Sequence, residues 1–197
     1  AKAKECNAKI YFASNLIQET YPCELLGDYQ IHNKKTAQQT IRVLQSQNEF
    51  NITEENIING FLKVIKNTGL QGRWQQLNES PKVICDTAHN KNGLEIVLNQ
   101  IKNEQFDHLH IILGVVNDKD LNEILPLFPK KANYYFCKPN ISRGLDAAIL
   151  KEKALQFGLK CNLFNSVTEA YLEALRLAQN SYLIYIGGST FVVAEII

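Results

Sequence analysis

From residue 82 to residue 186, short apolar runs rich in β-branched and aromatic residues alternate with longer amphipathic stretches, and this constrains the fold more than any other feature. The pattern predicts strands over 82–86, 108–116, 133–138, 161–165 and 182–186, with helices over 90–102, 120–127, 146–157 and 167–179 between them. A helix between each pair of strands returns the chain to the edge it left, so the strands run parallel and the crossovers are right-handed. The expected class is α/β, a doubly wound, mostly parallel, Rossmann-like sheet, with a further helix over 191–197.

The chain before this region reads differently. The run K-I-Y-F-A-S over 9–14 has strand composition, whereas 33–44 and 53–65 carry apolar residues at helical spacing, the second opened by Thr53 and two glutamates. Gly69 and Gly72 then break the period over 67–75, which places a boundary between a helical part over 1–69 and an α/β part over 70–197. No internal repeat or low-complexity tract is present.

Composition narrows the partners. A formal net charge of +1 leaves no broad basic field for a nucleic-acid backbone or an anionic membrane surface. The longest apolar runs fall well short of the roughly 20 residues that span a bilayer. Five scattered cysteines, odd in number and without a C-x-x-C pair, indicate neither a disulfide framework nor a zinc site, and fit a reducing, cytoplasmic setting. The chain has no Met and opens on Ala without a signal-like segment, so its start reads as an excised boundary of a longer protein.

In open α/β sheets ligands gather beyond the carboxyl ends of the strands, which here selects 86–90, 117–120, 139–143 and 187–190. In V-I-C-D-T-A-H-N a buried strand ends in Asp86, with His89 three residues on and Asn90 placed to cap a helix whose unpaired N–H groups suit an anion. A turn carboxylate, a helix cap and a surface histidine account for the same residues. Arg73, in G-R-W-Q on the proposed boundary, carries a guanidinium fork suited to phosphate; a solvated Arg beside a half-buried Trp is the plainer reading. In G-D-Y-Q-I-H-N the amides of Gln30 and Asn33 could read a nucleobase edge, although helix capping explains Asn33 by itself. Asp118 and Asp120 read as the approach to a helix N-terminus. Ser189, after the glycine pair 187–188, offers a hydroxyl where the backbone allows close approach. No phosphate-binding G-x-x-x-x-G-K-[ST] loop, G-x-G-x-x-G fingerprint or G-x-S-x-G elbow occurs.

Taken in order, G-D-Y-Q-I-H-N, G-R-W-Q, D-T-A-H-N, D-K-D and G-G-S-T-F over 27–191 resemble the folylpolyglutamate synthase/dihydrofolate synthase family of the Mur ligase superfamily. Each motif alone is short; the ordered set carries the resemblance. It implies an ATP-dependent ligase in which a folate carboxylate is phosphorylated, the amine of L-glutamate attacks the acyl phosphate, and phosphate leaves. It implies that Asn33, Arg73 and Asp86 contact ATP, that His89 and Ser189 contact glutamate, and that Arg73, Asp86 and His89 serve catalysis. Residues 1–69 then correspond to the tail of a central ATPase domain and 70–197 to a C-terminal glutamate ligase domain. The triphosphate loop and Mg²⁺ ligands lie in the chain's own N-terminal ATPase domain, upstream, so the isolated chain is expected to bind no ATP or metal, to be inactive and to be a monomer. Thr87 stands where the family commonly has Gly, Lys91 replaces a usual Pro, and Tyr29 a frequent His. Two other readings remain: a non-catalytic α/β small-molecule or nucleotide-binding domain with Asp86, His89 and Ser189 lining its pocket, and a fragment of a Mur-type cell-wall peptide ligase.

Overall fold

A computed structural model describes residues 2–197, and its backbone separates into two units, one ending at Leu70 and the other beginning at Gln71. The first is helical: α1 (Lys2–Glu5), α2 (Ala13–Leu16), α3 (Gln30–Ser46), α4 (Glu54–Leu62) and α5 (Val64–Thr68). The strand expected over 9–14 does not form. Among the described residues this unit has no sheet to satisfy the backbone groups of such a strand; Ile10 and Phe12 lie exposed and the chain makes a single helical turn from Ala13. α3 begins at Gln30, so Asn33 is not its cap; it lies in the first turn, where its Nδ2 donates to Gln30 Oε1 at 2.9 Å.

α4 starts where its sequence requires. Thr53 Oγ1 accepts from Asn56 N, and Asn56 Oδ1 accepts from Thr53 N, a reciprocal cap reinforced by Glu54 and Glu55 beside the positive end of the helix. The single helix expected over 53–65 is interrupted at Lys63, whose φ of −127° and ψ of 32° leave the helical range, and α5 ends on Gly69 in the left-handed conformation.

The second unit is a six-stranded sheet in the order β1-β2-β6-β3-β4-β5. Its elements are β1 (Gln75–Glu79), β2 (Lys82–Cys85), α6 (Lys91–Asn103), β3 (Leu109–Leu113), α7 (Leu121–Ile124) continued by a 3-10 turn (Leu125–Leu127), β4 (Asn133–Cys137), α8 (Ala147–Gln156), β5 (Cys161–Phe164), α9 (Val167–Leu177), β6 (Leu183–Gly187) and α10 (Thr190–Ala194). β2 to β6 pair in parallel, as the alternation predicts, and the helix expected near the end forms as α10. β1 was not expected. Its Q-Q-L-N-E has no apolar period, and it survives as an antiparallel edge strand paired to β2. β3 and β6, in the middle, are buried along their whole length, which explains why their sequences are almost wholly apolar. On one face Val83, Ile112, Tyr135, Ile184 and Ile186 pack with Val167, Ala170 and Ala174 of α9 and with Val192 and Val193 of α10. The two alanines let the α9 backbone approach the sheet closely.

Candidate functional site

The carboxyl ends of β2 and β6, hydrogen-bonded neighbours, bring Asp86, His89 and Ser189 to one side of the sheet. Asp86 is only 1% exposed. Its Oδ2 accepts from Trp74 N at 2.7 Å and its Oδ1 from Ala88 N at 2.8 Å, so both oxygens hold backbone. Trp74 is left-handed (φ 49°), a conformation an aromatic residue adopts rarely, and the Asp86 bond helps to hold it there. Gly72, also left-handed at φ 70°, has no room for a side chain: a Cβ would lie 2.9 Å from both Thr87 Cγ2 and Val193 Cγ1. Gly72 O accepts from Thr87 N at 2.9 Å, and Gly72 N donates to Gln75 Oε1 at 2.7 Å. Arg73 therefore projects from a turn fixed on both sides. It is half-buried, and its guanidinium has no hydrogen bond or ion pair among the described residues.

His89 precedes α6 and is exposed; Asn90 caps the helix by accepting from Gly93 N at 2.8 Å. His89 Nδ1 lies 2.9 Å from Thr87 O. A carbonyl only accepts, so Nδ1 carries the hydrogen; Nε2 faces outward as an acceptor in the neutral ring and as a donor only in the imidazolium. Ser189, 3% exposed, caps α10 by accepting from Phe191 N at 3.2 Å, which leaves its hydroxyl hydrogen available. The preceding Gly188 (φ 92°) passes so close to β3 that a Cβ would meet Leu113 Cδ1 at 2.4 Å. His89 and Ser189 line one cleft of about 410 Å³, together with Asp118, Lys119, Arg143 and Phe191.

Asn33 belongs to the helical unit, as part of α3. Asp120 does what its position predicts, capping α7 by accepting from Asn122 N at 2.9 Å. Lys119 and Arg143 are the cleft residues that sequence reasoning passed over. The segment 139–143 was marked as a strand end, but nothing in one sequence separates Arg143 from the other surface cations until β4 is placed two strands from β6. Among the described residues no three of His, Cys, Asp or Glu gather as a metal site. Burial pushes the Cys85 and Cys137 thiols up to about 12, with the charge of Asp86 adding to the first and that of Glu195 to the second, so both pack as neutral thiols. No helix among the described residues is long and apolar enough to cross a membrane.

Comparison with known proteins agrees with this architecture. Residues 72–190 match the family described as Mur ligase, glutamate ligase domain. The chain is 30% identical over 172 residues to a probable bifunctional folylpolyglutamate synthase/dihydropteroate synthase of Haloferax volcanii, covering 87% of this chain and 20% of that protein. It is 28% identical over 147 residues to the dihydrofolate synthase/folylpolyglutamate synthase of Escherichia coli, covering 74% of this chain and 33% of that one. A solved structure of the E. coli protein FolC in complex with ADP superposes with a TM-score of 0.70 at 25% identity, covering 83% of this chain and 38% of that chain. The chain thus spans between a fifth and two fifths of the length of these relatives.

Proposed function

Because this chain belongs to the Mur ligase family through its glutamate ligase domain, we propose that it is the C-terminal part of an ATP-dependent ligase that adds L-glutamate to folates through an acyl phosphate. The observation that carries the reading is the meeting of His89 and Ser189 in one cleft at neighbouring strand ends, beside the turn that presents Arg73. A folate carboxylate takes the terminal phosphoryl group of ATP, releasing ADP. The amine of glutamate attacks the carboxyl carbon, the tetrahedral intermediate expels phosphate, and the amide remains. Positioning and charge stabilisation dominate such chemistry.

Each residue has a part in this scheme. Arg73 offers a fork of donors to the phosphoryl oxygens. Asp86 acts through Arg73, because its own oxygens grip Trp74 N and Ala88 N; further contact with ATP would have to share those oxygens. His89 Nε2 and the Ser189 hydroxyl address the incoming amino acid. Asn33, on the helical unit read as the tail of a central ATPase domain, addresses ATP. ATP and Mg²⁺ serve the full-length enzyme. The family resemblance assigns the Mg²⁺ ligands and most of the folate pocket to the N-terminal ATPase domain of that enzyme.

The test is steady-state kinetics of glutamate-dependent ADP release by the full-length enzyme, with glutamate and ATP varied separately. His89→Ala and Ser189→Ala should each raise KM for glutamate before KM for ATP moves, since lost ground-state binding shows in the ligand that was bound. A defect confined to ATP in both variants overturns the assignment.

A further inference from the structure

Nothing in the scheme above aims Arg73. Its guanidinium has no hydrogen bond or ion pair among the described residues, so the backbone of its turn sets the direction in which it projects. That turn is strained, with Gly72 at φ 70° and Trp74 at φ 49°, the second a costly conformation for an aromatic residue. Three hydrogen bonds pin it: Gly72 N to Gln75 Oε1, Thr87 N to Gly72 O, and Trp74 N to Asp86 Oδ2. Hydrogen bonds keep most of their strength over roughly 30° of misalignment, so they leave a turn room to rock. Packing has to fix the rest.

Thr87 supplies that packing. A Cβ built on Gly72 would lie 2.9 Å from Thr87 Cγ2 and 2.9 Å from Val193 Cγ1, so the backbone of residue 72 rests directly against both methyl groups. Thr87 thereby holds the turn twice, by its N–H and by its γ-methyl. The other arm of its side chain contributes nothing: Oγ1 is buried and has no hydrogen-bond partner among the described residues. A buried hydroxyl without a partner is a net cost, so the shape of the residue, and not its polarity, serves this place. On the other side, Thr87 O accepts from His89 Nδ1 at 2.9 Å. That bond belongs to the main chain and survives a change of side chain.

We propose that Thr87 is a positioning residue for Arg73: its γ-methyl, packed under Gly72, sets the direction in which the guanidinium meets the phosphoryl group. Thr87 acts only through the Arg73 turn and touches neither ATP nor glutamate. The proposal rests on the part given to Arg73 in the proposed ligase reaction. A misplacement of about 1 Å can cost roughly 100-fold in rate, so even a partial shift of the turn is large enough to measure.

The experiment measures kcat and the KM for glutamate and for ATP, with ADP release as readout, in full-length wild type, Thr87→Ala, Thr87→Val, Arg73→Ala and the double variant Arg73→Ala/Thr87→Ala. Thr87→Ala removes the methyl and should lower kcat about 10-fold, with KM for glutamate held within about twofold because the main chain still holds His89. Thr87→Val keeps the methyl and drops the hydroxyl, so its kcat should stay within about twofold of wild type and its urea midpoint should be no lower. In the Arg73→Ala background, Thr87→Ala should lower kcat no further, because a residue acting through another has no effect once that one is gone. If Thr87→Ala does not fold, Thr87→Ser, a milder removal of the same methyl, takes its place. A kcat of Thr87→Ala equal to wild type overturns the inference, and so does an equal loss in Thr87→Val or a full further loss in the double variant. Wild-type turnover in Arg73→Ala overturns the part of Arg73 in the proposed function itself. An impaired Arg73→Ala beside an unaltered Thr87→Ala overturns this inference alone.

Discussion

Asp86 turns both carboxylate oxygens inward, onto the amides of Trp74 and Ala88. An ATP contact by itself would make Asp86→Ala a defect of activity only. The geometry makes it a defect of stability as well: a buried and a part-buried N–H group lose their acceptor at about 1–3 kcal/mol each, so unfolding stability should fall by roughly 2–6 kcal/mol without ligand. Urea denaturation of wild type and variant measures this, and equal midpoints would refute it. The sequence made the carboxylate at the strand end legible. It could not reveal what the carboxylate holds, because no local rule puts a left-handed Trp twelve residues upstream against it. Ser189 is a similar case: its place after the carboxyl end of β6 was readable, whereas its bond to Phe191 N depends on α10 starting at Thr190.

On β3, His110 interrupts an apolar run and is 1% exposed, with Nδ1 2.8 Å from Tyr135 Oη and its ring stacked on Tyr135. Burial, and then the charge of His108, push its pKa below the ordinary histidine value. The unfolded chain therefore takes up a proton more readily than the native one, and stability rises with pH. The contribution of His110 is complete above the unfolded pKa, about 6.5, and is lost as pH falls through the depressed native value. The stability advantage of wild type over His110→Gln should accordingly shrink from pH 7.5 to pH 5. A constant difference across that range, measured by urea titration, would count against it. The parallel strands were legible because each carries enough apolar surface to declare itself. β1 was not, since its hydrogen bonds to β2, and not its side chains, make it a strand. The run over 9–14 erred the other way, with strand composition but no strand to pair with.

Of the two units, the one beginning at Gln71 has a complete core of its own, with the inner strands covered by α9 and α10 on one face. Such a core is enough for independent folding. Residues 71–197 expressed alone should show one cooperative thermal transition, and a broad, non-cooperative melt would contradict this. Residues 2–70 leave Ile10, Phe12, Leu26 and Phe50 more than half exposed. The strand alternation that the sequence displays lies entirely in the second unit. One consequence follows from the turn clamped by Asp86. Trp74 is the only tryptophan in the 197 residues and is 5% exposed. Fluorescence excited at the red edge of absorption, where tyrosine is silent, therefore comes from a single indole next to Arg73, and its colour and quenching report optically on that one turn without any label.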